Sequence, residues 1–80
     1  MRATAYVLVN VAAGTARSVM DKVSHLRDVS HVDAVLGPYD LIVTVTGTDL
    51  NEIGRMILEK MHAIEGVQKT VTCNVVTFES

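Results

Sequence analysis

The sequence has no tryptophan and only one phenylalanine, one proline and one cysteine in 80 residues. A lone cysteine excludes an intrachain disulfide framework and the paired-cysteine metal motifs, so Cys73 reads as a small buried filler. No apolar run approaches the roughly 20 residues that cross a bilayer. The first residues carry no basic stretch, apolar segment and cleavage signal in order, so a cytoplasmic protein is expected, with no membrane partner. Positive charge is not in excess either. Seven Lys and Arg stand against nine Asp and Glu, and the bases are scattered from Arg2 to Lys69. Direct nucleic-acid binding by phosphate neutralisation is therefore not expected.

The materials of catalysis are also missing. Gly14, Gly37, Gly47, Gly54 and Gly66 stand apart and form no phosphate-cradling loop. His25, His31 and His62 have no partners at metal-ligand spacing, and His25 and His62 fall near helix C-termini, where a cation is tolerated. No nucleophile, base and orienting acid can be assembled from neighbouring residues. The expectation is a non-enzyme without metal or cofactor.

What is present is apolar patterning: 49% hydrophobic residues with 20% charged ones, enough for one globular domain over residues 1–80 and too little for two. A chain this short buries only roughly 60–65% of its unfolded surface, so its core is thin. Residues 3–11 read as a strand rich in β-branched side chains. From Thr15 the period changes, and Ala16, Val19, Met20, Val23 and Leu26 mark an amphipathic helix of about twelve residues. Val32–Leu36 and Leu41–Thr46 read as a hairpin around Gly37-Pro38-Tyr39-Asp40. Leu50, Ile53, Ile57, Met61 and Ile64 form a second helical stripe. Thr48 or Asp49 is its cap, and Asp49 with Glu52 resembles a reciprocal capping box. After Gly66, residues 67–78 form a final strand, or two strands joined at a bulge near Cys73 and Asn74.

Shifting the chain by 35 positions places residues 6–11 on 41–46, Val23 on Leu58 and Val32 on Val67. Two βαβ units follow, each too small to bury its own sheet face. Right-handed crossovers put both helices on one side of a four-stranded antiparallel sheet in the order 4-1-3-2, an α+β ferredoxin-like βαββαβ sandwich.

The sheet face without helices should be polar, yet it carries Tyr6, Leu8 and Ile42 among threonines. Covering those three would remove roughly 300 Å² from water, worth several kcal/mol at about 25 cal/mol per Å². A dimer through this face or an edge is expected, with Tyr6, Leu8 and Ile42 in the interface and Val75, Val76 and Phe78 of the long last strand offered to a neighbour.

Two candidate ligand positions remain. One is the Gly37–Asp40 turn, where Asp40 suits an α-amino group and Tyr39 supplies an aromatic wall and a hydroxyl. The other is Gly47-Thr48-Asp49, where a helix start exposes N–H groups to a carboxylate. Thr44, Thr46, Thr70 and Thr72 add hydroxyls that also simply favour strands. The plain alternative is that Gly37 and Asp40 only shape the turn and Tyr39 only packs. The two positions lie at opposite ends of the third strand, so a site using both must form between subunits.

The ordered set Leu26-x-x-Val29-x-x-Val32, Gly37-x-Tyr39-Asp40, Asp49-Leu50, Ile64-x-Gly66-Val67 and Thr70-x-Thr72 resembles the effector-binding (RAM) domain of the Lrp/AsnC transcription regulators over nearly the whole chain. The resemblance implies a stand-alone form without the helix-turn-helix domain. It further implies dimers through the sheets, octamer or decamer rings, and an amino-acid site between dimers. Gly37, Tyr39, Asp40, Thr46, Thr48, Asp49, Thr70 and Thr72 are the candidate ligand-binding residues. A full-length Lrp/AsnC relative is an expected partner, with a role in transcriptional regulation that involves no direct DNA contact. Two competing readings are an ACT-type effector module, in which Gly14 would matter, and a structural or adaptor oligomer without ligand.

Overall fold

Alternation of valines with polar residues builds a four-stranded antiparallel sheet: β1 (Ala3–Val11), β2 (Val29–Ala34), β3 (Leu41–Gly47) and β4 (Val67–Asn74), in the order β2-β3-β1-β4. Two helices complete the expected βαββαβ order: α1 (Ala16–Ser24) and α2 (Leu50–Met56), the latter continuing into a π-helical turn over Ile57–Met61. The computed structural model describes residues 2–78; Met1, Glu79 and Ser80 of the expected single domain lie outside the described residues. No helix among the described residues is long and apolar enough to cross a membrane.

Every second residue of the central strands points at the helices. Ala5, Val7 and Val9 of β1 and Leu41, Val43 and Val45 of β3 are completely buried against Val19 and Val23 of α1 and Ile53, Met56, Ile57 and Met61 of the second helical segment. The π-helical turn adds one residue to a helical turn, which lets the adjacent Met56 and Ile57 both enter the core together with Met61. Leu50, expected on the same stripe, stays exposed at the helix start.

Four boundaries differ from the sequence expectation. The first helix runs nine residues instead of about twelve. Its end tightens into i→i−3 bonds, His25 N–H to Lys22 O at 3.2 Å and Leu26 N–H to Val23 O at 3.0 Å, so Leu26 packs on the core from the turn. β2 occupies Val29–Ala34 rather than Val32–Leu36, because Val35 N–H bonds Asp40 O at 3.0 Å and makes residues 35–40 the connection. β4 ends at Asn74, and its irregularity sits at Gln68, between the pairs Asn10–Lys69 and Val11–Val67, not near Cys73. Cys73 is exposed rather than buried, since pairing opposite Tyr6 turns it to the helix-free face.

Candidate functional site

Strand register fixes what the helix-free face displays. Asp33, Ile42, Leu8 and Val71 lie in one row across the four strands. His31, Thr44, Tyr6 and Cys73 form the next row, and Thr46 pairs with Thr4 beyond it. Tyr6, Leu8 and Ile42 are thus neighbours on one face, as their alternation implies, and Tyr6 keeps 45% of its surface exposed. Val71 extends this apolar row and is absent from the interface set read from sequence. The bulge at Gln68 shifts the phase of β4 relative to its start, so alternation counted from Val67 assigns Val71 to the wrong face. At the edge, His31 Nε2 lies 3.1 Å from Asp33 Oδ1, both exposed. Val75 N–H bonds Thr4 O at 2.9 Å, and the chain beyond it leaves Val76 and Phe78 largely exposed, at the end of the sheet away from the turn.

The Gly37–Asp40 turn is anchored to the end of β1 by three bonds. Asp40 N–H donates to Val9 O at 2.9 Å, Val11 N–H donates to Asp40 Oδ2 at 2.9 Å, and Asn10 Nδ2 donates to Pro38 O at 3.0 Å. Asp40 is therefore half-buried and structural through one oxygen, while its Oδ1 has no protein donor among the described residues. Tyr39 is half-buried beside it, and Gly37 is exposed.

At the other end of β3, seven residues or roughly 20 Å away, Asp49 Oδ1 accepts from Glu52 N–H at 2.8 Å. The Glu52 carboxylate in turn accepts from the Thr48 hydroxyl at 2.6 Å and the Thr48 N–H at 3.4 Å. The capping box is present, but its return bond reaches Thr48 instead of Asp49. Those Thr48 donors, the hydroxyl first, hold the Glu52 carboxyl below its usual value. With two carboxylates already on the helix start, Thr48 and Asp49 are occupied as a cap. An open groove of about 310 Å³ along the outside of α2 is lined by Asp28, Asp49, Glu52, Arg55, Glu59 and Lys60 among others, charges of both signs facing solvent.

The eight ligand candidates consequently separate within one protomer. Gly37, Tyr39 and Asp40 lie at one end of the sheet, while Thr46, Thr48 and Asp49 lie at the other. Thr70 and Thr72 pair with Val9 and Val7 and so face the helix side, where Thr70 Oγ1 lies 2.7 Å from His62 Nε2. Asn10 and Lys69, outside the candidate set, stand paired at the turn end of the helix-free face. Among the described residues no cluster of three metal-ligating side chains occurs.

Comparison with known proteins places these features in a family. An HTH-type transcriptional regulator of Pyrococcus abyssi is 34% identical over 68 residues, which is 85% of this chain and 43% of that protein. The chain spans about half the length of the curated relatives it matches. A hypothetical protein of Pyrococcus horikoshii of known structure is 35% identical, with a TM-score of 0.86 over 98% of this chain and 93% of that one. The fold also matches a Neisseria meningitidis transcriptional regulator solved as a complex with L-Met, at 23% identity and a TM-score of 0.83, over 94% of this chain and 50% of that one. The Pyrococcus abyssi and Neisseria meningitidis proteins are described as transcriptional regulators. Residues 4–77 match the Lrp/AsnC ligand binding domain, and the chain belongs to that family.

Proposed function

We propose that this chain is an amino-acid sensing module that associates through the helix-free face of its sheet and binds its ligand where copies meet. The observation that carries the reading is the in-register apolar row Ile42–Leu8–Val71 with Tyr6 beside it, running up to an anchored Gly37–Asp40 turn. One protomer leaves that row on its surface. A second copy, adding its own Tyr6, Leu8, Ile42, Val71 and the extended Val75 and Phe78, covers it and forms clefts at the ends of the sheets.

Within those clefts Asp40 offers its second oxygen to an ammonium and Tyr39 offers a wall. Thr46, Thr48, Asp49, Thr70 and Thr72 would contribute only from a neighbouring protomer, because none shares the turn's face and end. The L-Met complex of the Neisseria regulator supports an amino acid as the ligand class. The HTH-type relatives support a regulatory role; in this reading it is exerted in the cytoplasm by co-assembly with a DNA-binding relative, in dimers or rings of dimers.

Titration calorimetry with the twenty L-amino acids tests the reading. Saturable binding of at least one, by an oligomer, is expected. Absence of heat from a well-folded oligomer contradicts ligand sensing and leaves an adaptor domain in its place.

A further inference from the structure

Asp33 and His31 head the two rows that carry the apolar face. Asp33 stands directly beside Ile42 in the row Ile42–Leu8–Val71, and His31 stands beside Thr44 in the row that holds Tyr6. Both lie on the edge strand β2, with His31 Nε2 3.1 Å from Asp33 Oδ1 and their side chains 65% and 61% exposed. The other charges of this face are elsewhere. Arg2 bonds Thr46 Oγ1 at 3.3 Å one row further out, Lys69 sits on the opposite edge strand beside Asn10, and Asp40 lies in the turn. Ile42 and Thr44 of β3, the strand paired with β2, bring no charge, so among the described residues Asp33 has His31 as its ion-pair partner and no other. Tyr6 and Cys73 are the remaining titratable groups in the His31 row, two and three strands away.

Tyr6, Leu8 and Ile42 supply roughly 300 Å² of buried surface, well short of the about 800 Å² that each partner of a stable dimer commonly buries. A copy that covers the apolar rows therefore extends over the flanking strands, and the His31–Asp33 pair comes under its rim. There water is withdrawn from a carboxylate, which costs free energy unless a cation accompanies it. In the free chain, with both side chains in solvent, the same pair contributes little.

We propose that the His31–Asp33 pair is a pH-sensitive latch on the association of two copies: His31 takes up a proton as the faces meet, and the imidazolium neutralises Asp33 at the rim. The inference rests on the association reading above and adds its regulation. Histidine changes charge between roughly pH 5 and 8. Association raises the proton affinity of His31, so the latch is closed below the pH at which the free ring loses its proton. It opens as the pH rises through the value that the ring has in the associated pair. His25 and His62 do not share the device, since His25 Nδ1 lies 2.7 Å from Asp21 O on α1 and His62 Nε2 lies 2.7 Å from Thr70 Oγ1 on the helix side.

Subunit exchange between donor- and acceptor-labelled copies of the whole chain, followed by energy transfer at about pH 8 and about pH 6, tests the latch. Wild type should exchange about tenfold more slowly at the lower pH, because each of the two copies takes up a proton. His31→Gln should exchange at the faster rate at both pH values. Asp33→Asn, which removes the carboxylate that needs a cation, should exchange no faster than wild type at the higher pH and should lose the slowing in acid. Equal wild-type rates at the two pH values, or the wild-type slowing retained in His31→Gln, overturns the latch while association stands. Absence of energy transfer between labelled wild-type copies overturns both. Because the first comparison is made on wild type, the test holds even where a variant fails to fold.

Discussion

Oδ2 of Asp40 accepts a hydrogen bond from the backbone nitrogen of Val11 at 2.9 Å, so a side chain from the β2–β3 connection closes the last rung against β1. On sequence alone Asp40 is either a partner for an α-amino group or a residue that only shapes the turn, and this bond shows it tying the turn to β1 as well. Removing the carboxylate strands a half-buried N–H.

Asp40→Ala should therefore destabilise the protein by about 1–2 kcal/mol, read by urea unfolding at one fixed protein concentration. Asp40→Asn retains an acceptor for Val11 and should recover most of that loss, yet it removes the charge that faces an ammonium. Stability and amino-acid affinity should thus separate in Asn and fall together in Ala. An Ala variant as stable as wild type contradicts the structural half of this account.

Gly66 adopts φ +103° where the chain enters β4, and a Cβ there would lie 2.8 Å from Val19 Cγ2 and 2.9 Å from Thr15 Oγ1. Gly66→Ala combines a left-handed backbone with a clash against α1. A loss of about 1–3 kcal/mol is expected from thermal unfolding. An unchanged melting temperature would show that the α1–β4 approach is looser than drawn.

The start of α2 should respond to acid. Glu52 has its carboxyl lowered by the Thr48 hydroxyl and N–H, so in the folded chain it holds its charge to lower pH than when unfolded. The sign follows: the cap's contribution is fully present above the ordinary value of 4.5 and is lost as pH falls through the lowered folded value. In an NMR titration the Thr48 amide resonance should move with a midpoint below that ordinary value, and Glu52→Gln should abolish the movement. A midpoint at or above it contradicts the bond.

How much was legible follows from which residues carry a period. The strands β1 and β3 alternate strictly, so Val7, Val9, Val43 and Val45 announced both the sheet and its buried face, and the 35-residue repeat fixed the topology. Tyr6, Leu8 and Ile42 were legible as surface neighbours for the same reason. β4 resisted, because the extra residue at Gln68 resets its alternation and hides Val71 and Lys69. The roles of Asp40 and Asn10 depend on bonds across 29 and 28 residues of chain, which no local pattern encodes. From sequence, Asp49 with Glu52 reads as a capping box while Gly47-Thr48-Asp49 also reads as an open helix start. Only the reach of Glu52 back to Thr48 shows that start to be closed.

The central claim is that Tyr6, Leu8, Ile42 and Val71 are covered by another copy of the chain. Sedimentation equilibrium at high micromolar concentration, with wild type beside Tyr6→Asp, tests it most directly. The account predicts a wild-type mass at least twice the 8.7 kDa of one chain and a shift toward 8.7 kDa when a charge is placed on that face. A wild type that stays at the single-chain mass while folded would contradict it.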